Sequence, residues 1–114
     1  MYDEKIKLLT KRAVITRPAR IAINTILLNI HGNTSEIENL KIEMWTSLLR
    51  RHLSGAWGNI CDEDKELNDI DVEKGGRLLS KFNIEESDFY VITEAAGGNN
   101  VVRPLTTILL EEEY

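Results

Sequence analysis

Apolar residues recur at helical intervals through the first half of the chain and at alternate positions through its last third. Ile23, Ile26, Leu27 and Ile30 follow the spacing i, i+3, i+4, i+7, which puts them on one helical face. Pro18 suits the first turn of that helix, where its missing N–H costs nothing. Gly32 or Asn33 can take the left-handed conformation that ends it. A second helix starts at a capping-box pattern, Ser35-Glu36-Ile37-Glu38, with Ser35 bonding forward and Glu38 reaching back. Its apolar stripe is Ile37, Leu40, Met44, Trp45, Leu48 and Leu49, and Arg50 and Arg51 complement the dipole in its last turn. Ser54-Gly55 closes it. Asp62-Glu63-Asp64 opens a third, shorter helix whose thin apolar face is Leu67 and Ile70 and whose end is Gly75-Gly76.

After Gly76 the period becomes two. Leu78, Ser80, Phe82 and Ile84 alternate with Arg77, Leu79, Lys81 and Asn83. A turn at 85–88 leads to the β-branched and aromatic run Phe89-Tyr90-Val91-Ile92-Thr93. A Gly/Asn-rich turn at 96–100 follows, and Pro104 confines the last strand to 105–110. Short links between these strands imply an antiparallel meander. The expected class is α+β: two or three N-terminal helices packed on a C-terminal sheet of three strands, or at most four. Residues 12–15 can form a further short strand, and residues 1–11 read as a flexible lead-in or a partial helix.

With 114 residues there is room for one domain, residues 1–114, around one core. Hydrophobic residues at 42% and charged residues at 29% are ordinary for a globular protein. The densest apolar stretch, residues 21–30, is interrupted by Asn24, Thr25 and Asn29, well short of a membrane span. Met1-Tyr2-Asp3-Glu4-Lys5 leads into no apolar run, so no secretory leader is expected, and a single cysteine, Cys61, fits a reducing cytoplasm. The net charge of −5 is polarised: residues 1–53 carry nine Lys/Arg against five Asp/Glu, residues 54–114 five against fourteen. The basic excess is too small and scattered for general duplex-DNA binding.

The stretch from Arg51 to Tyr114 resembles a family of small proteins of bacterial plasmids and integrative elements, some labelled restriction-enzyme related. The likeness lies in Arg51-His52-Leu53-Ser54-Gly55-Ala56-Trp57-Gly58, Glu63-Asp64, Asn68-Asp69, Gly76-Arg77-Leu78-Leu79-Ser80, Val91-Ile92-Thr93-Glu94-Ala95 and Thr106-Thr107-Ile108-Leu109-Leu110. Family members carry Asp where this chain has Ala56 and Asn59, and are shorter between Ala95 and Thr106. The resemblance implies an accessory protein of a mobile element. Helices followed by a meander also look like the barnase/colicin/RelE-type nuclease architecture.

Two kinds of chemistry follow. For catalysis the candidates are His52, Arg77, Glu94, Thr106 and Thr107, a proton carrier among phosphate-gripping groups. Arg77, Thr93 and Arg103 are the phosphate or ligand candidates. The bland alternative has His52 capping helix carbonyls and the threonines merely suiting a strand. For partner binding the candidates are Trp57, Asp62, Glu63, Asp64, Glu66, Asp69, Asp71 and Glu73, an acidic surface suited to a nucleic-acid-binding groove on a defence enzyme. Blandly, Trp57 plugs the core and the acids are a solvated helix face. No cofactor or metal pattern is present, and a homodimer would protect the open edges of a small sheet.

Overall fold

The structure is a computed structural model that describes residues 12–96 and 103–114. The elements are β1 (Ala13–Ile15), α1 (Arg17–His31), α2 (Ile37–Leu53), α3 (Asp62–Lys74), β2 (Leu78–Ile84), β3 (Ser87–Thr93), β4 (Thr106–Leu110) and a final 3-10 turn, Glu111–Glu113. They form an α+β fold with three helices and one four-stranded sheet of order β1-β4-β3-β2. The sheet is mixed. β2, β3 and β4 form the expected antiparallel meander, but β1 joins its β4 edge in parallel, with Ala13 beside Thr106 and Ile15 beside Ile108. Pairing between residues so far apart leaves no local turn signal, which is why the purely antiparallel expectation missed it. Expectations for residues 1–11, and for most of the turn at 96–100, fall outside the described residues.

Helix boundaries follow local chemistry with two corrections. α1 is capped by Thr16, whose Oγ accepts from the Ala19 N–H, and ends at Gly32 with φ +73°. α2 starts at Ile37 with Glu36 as N-cap and no side-chain cap bond, so the Ser35–Glu38 capping box is not formed. Instead the Glu36 N–H donates to Thr34 Oγ, two residues earlier. In α3 the buried residues are Asn68 and Val72, while Leu67 and Ile70 stand 55% and 48% exposed. The apolar pair taken for the core face therefore points to solvent. Gly75 ends α3 in the left-handed conformation, φ +85°.

The sheet turns one face to the helices. Register places Phe82, Phe89 and Leu110 side by side on it, then Ser80, Val91 and Ile108, then Leu78, Thr93 and Thr106. Ile23, Ile26 and Leu27 of α1 and Leu48 of α2 pack on the apolar part. Burying each such side chain contributes about 1.5–3 kcal/mol. A smaller cluster, Trp57, Val72 and Leu78, holds α3 against the β2 end.

The outer edge of β2 is closed from within the chain. Asn68 donates to the Leu79 carbonyl at 2.6 Å and accepts from the Leu79 N–H at 3.1 Å. The loop after α2 pairs with Lys81, whose N–H donates to Trp57 O and whose carbonyl accepts from the Asn59 N–H. Gly58 allows that approach: a Cβ there would lie 2.1 Å from the Lys81 carbonyl oxygen, at φ +75°. One edge that called for a partner subunit is thus already covered. No described helix is long and apolar enough to cross a membrane.

Candidate functional site

The polar candidates divide between the interior and opposite surfaces. The last turn of α2 carries His52 over the inner face of the sheet, where it is wholly buried. Its Nδ1 lies 2.6 Å from Ser80 Oγ, and its Nε2 lies 2.8 Å from Thr93 Oγ. Thr93 Oγ is in turn 2.8 Å from Thr106 Oγ. All four side chains are inaccessible to solvent. The Trp57 ring meets the imidazole edge to face, with centroids 5.6 Å apart.

Burial, reinforced by the nearby Arg103 charge, pushes the His52 pKa down to about 3. The imidazole is therefore neutral at physiological pH, with one ring nitrogen donating and the other accepting. It neither caps the α2 carbonyls nor opens to a substrate. Its bonds tie α2 to β2 and β3.

Arg103 is also wholly buried. It donates to three backbone carbonyls: Gly76 at 2.5 Å, Asp71 at 2.7 Å and Glu94 at 3.3 Å. It thereby links the end of α3 to the strand approaches on either side. Burial holds its pKa below the ordinary arginine value, opposed by the Asp71 charge. Its Nε has no hydrogen-bond partner among the described residues. Gly76 fits this junction because a Cβ there would lie 2.3 Å from Asp71 Oδ1.

The other phosphate and catalytic candidates lie elsewhere. Arg77 is exposed and bonds the Tyr114 hydroxyl. Thr107 alternates with Thr106 along β4 and so projects from the opposite face of the sheet. Glu94 follows β3, where its carbonyl accepts from Arg103. His52, Thr93 and Thr106 are thus brought together without a cleft, while Arg77 and Thr107 stay apart from them. Ser80, the fourth member of the chain, was visible in the sequence only as an inward position of an alternating strand.

The acidic candidates share one element. α3 presents Asp62, Glu63, Asp64, Glu66, Asp69 and Glu73 to solvent and Asp71 at half exposure. Asp69 Oδ1 accepts the Trp57 Nε1–H at 3.0 Å, which holds the helix to the loop beneath it. Trp57 is only 4% exposed, so it supports this face from below. Leu67 and Ile70, one helical turn apart, stand exposed among the carboxylates. Among the described residues no group of three His, Cys, Asp or Glu could hold a metal ion. Comparisons with protein-family models, curated proteins and solved structures gave no match.

Proposed function

We propose that this chain is a binding protein that inhibits a basic, nucleic-acid-handling protein, as an anti-defence (anti-CRISPR or anti-restriction) factor of a mobile element does. The observation that carries this is the outward surface of α3, where Leu67 and Ile70 stand exposed in a field of carboxylates. Thirteen residues at a rise of about 1.5 Å each make a rod of roughly 20 Å. Seven acids against Lys65 and Lys74 leave one net charge about every 4 Å, near the ~3.4 Å per charge along one DNA strand. A groove evolved for phosphates would accept such a rod.

Leu67 and Ile70 add what a phosphate backbone lacks. Already about half covered, each still supplies on the order of 1 kcal/mol that salt does not screen when buried against an apolar patch beside the groove. A protein target would thus be distinguished from any merely basic surface. The resemblance to plasmid and integrative-element proteins supports choosing a defence nuclease as the partner class.

The test uses bacteria carrying nuclease-based defence systems, challenged with DNA those systems attack. The chain is expected to protect the DNA, and the Leu67→Lys/Ile70→Lys variant to lose protection while keeping its fold. A photo-crosslinker at position 67 should capture the basic nuclease or its nucleic-acid-binding subunit. Equal protection by the variant, or no protection in any such system, would overturn the proposal.

A further inference from the structure

A groove of about 290 Å³ lies between α1, α2 and β1, away from α3. Its apolar wall is Ile15, Ile23, Ile42 and Trp45, and Arg20, Lys41 and Glu38 line it as well. A more open hollow of about 260 Å³ shares Arg20 and Lys41 and adds Arg17. The two adjoin across Arg20 and Lys41, the first with more apolar lining and the second, which Ile21 and Asn24 also line, with three cations.

Among the described residues the cations here outnumber the one lining acid, Glu38. Lys41 is paired with Glu38 at 2.6 Å. Arg17 and Arg20 are exposed and have no carboxylate partner among the described residues. Both sit in the first turn of α1, which contains no acid. Cations there oppose the helix dipole, so their placement gains nothing for the helix itself. The apolar groups are equally unspent: Ile42 in the groove is 53% exposed, and Ile21 in the adjoining hollow 55%. Local rules broken in polar and apolar terms at one spot are the mark of a surface shaped for something else.

We propose that this groove binds a small amphipathic anion. The apolar body lodges against Trp45, Ile42 and Ile23, and a carboxylate, sulfonate or phosphate head is gripped by Arg17 and Arg20. A volume near 290 Å³ takes a body of two or so fused or linked rings, or a short branched chain. The arginine forks provide the paired donors that such head groups accept. This site does not depend on the proposed role of α3.

The probe is 1-anilinonaphthalene-8-sulfonate, compared with N-phenyl-1-naphthylamine, which has the same ring body and no charge. The full chain should bind one sulfonate dye per molecule and bind it more tightly than the neutral dye. Arg17→Gln/Arg20→Gln should weaken the sulfonate by about tenfold or more and leave the neutral dye within about twofold. Ile42→Asp should weaken both, with near-UV circular dichroism confirming an intact fold. Equal affinity for the two dyes, or sulfonate binding unchanged in the arginine variant, would overturn the proposal. So would arginine-dependent co-sedimentation with phosphatidylglycerol vesicles when the soluble dye does not bind, because the occupant would then be a lipid surface. Leu67→Lys/Ile70→Lys should bind the dye normally, which separates this site from α3.

Discussion

The inner face of the sheet is packed in two unlike ways. At one end Phe82, Phe89 and Leu110 lie beside each other on adjacent strands and meet the apolar sides of α1 and α2. Towards the other end Ser80, Thr93 and Thr106 occupy equally buried positions and receive His52. Apolar contact is non-directional, so the first end asks only for volume and shape. The second end asks for partners, because each buried oxygen or nitrogen left unpaired costs about 1–3 kcal/mol. One end supplies bulk stability. The other fixes where the last turn of α2 must sit on β2 and β3.

The contrast is sharpest for substitutions of similar size. His52→Leu leaves Ser80 Oγ without its imidazole partner, and leaves Thr93 Oγ with only Thr106. It should cost roughly 2–5 kcal/mol. Ile23→Val, at the apolar end, should cost about 0.5–1.5 kcal/mol. Adding Ser80→Ala and Thr93→Val to His52→Leu should restore more than half of the loss, since polar partners removed together leave few orphans. Urea unfolding of the parent, these three variants and Ser80→Ala/Thr93→Val measures this. Strict additivity would show that the hydrogen-bond chain is not the unit of stability.

Acid tests the same end with no substitution. The His52 pKa is about 3 in the folded chain against an ordinary 6.5. Between those values the unfolded chain binds a proton that the folded chain does not. Stability is therefore full above pH 6.5 and falls as the pH drops, by up to about 1.4 kcal/mol per unit. From pH 7 to pH 5 the loss assignable to His52 is about 2 kcal/mol. It is isolated by comparing denaturant midpoints with those of His52→Leu/Ser80→Ala/Thr93→Val, which lacks the titrating ring. Parallel pH profiles for the two chains would contradict the burial of a neutral imidazole.

What the sequence disclosed divides along a similar line. The period-two run after Gly76 and the helical stripe of α2 were legible because each is a local repeat of apolar positions. The partnership of β1 with β4 was not, since neither strand carries any mark of the other. His52 stood out as a histidine at a helix end beside Arg51, and its chemistry was readable. Its burial was not, because that depends on Ser80, Thr93 and Thr106 arriving from three strands. Arg103 shows the same limit: a guanidinium suited to phosphate is spent on three backbone carbonyls.

α3 offers the smallest expected effect and the sharpest contrast with the histidine end. Periodicity alone assigned Leu67 and Ile70 to its core side, because an apolar pair one turn apart ordinarily faces inward. The chain instead buries Asn68 and Val72, for Asn68 can satisfy both backbone groups of Leu79 on an otherwise open strand edge. A leucine there would leave those two groups bare, so the edge sets the rotation of the helix and the apolar pair is turned outward. Leu67→Lys/Ile70→Lys should then change stability by no more than about 0.5 kcal/mol per site, with relief of carboxylate repulsion offsetting lost propensity. Were the pair a core face, the same change would cost about 1.5–3 kcal/mol at each position. Thermal unfolding decides between the two. A near-silent result would leave two hydrophobic side chains in water with no structural use, which is the condition a docking surface requires.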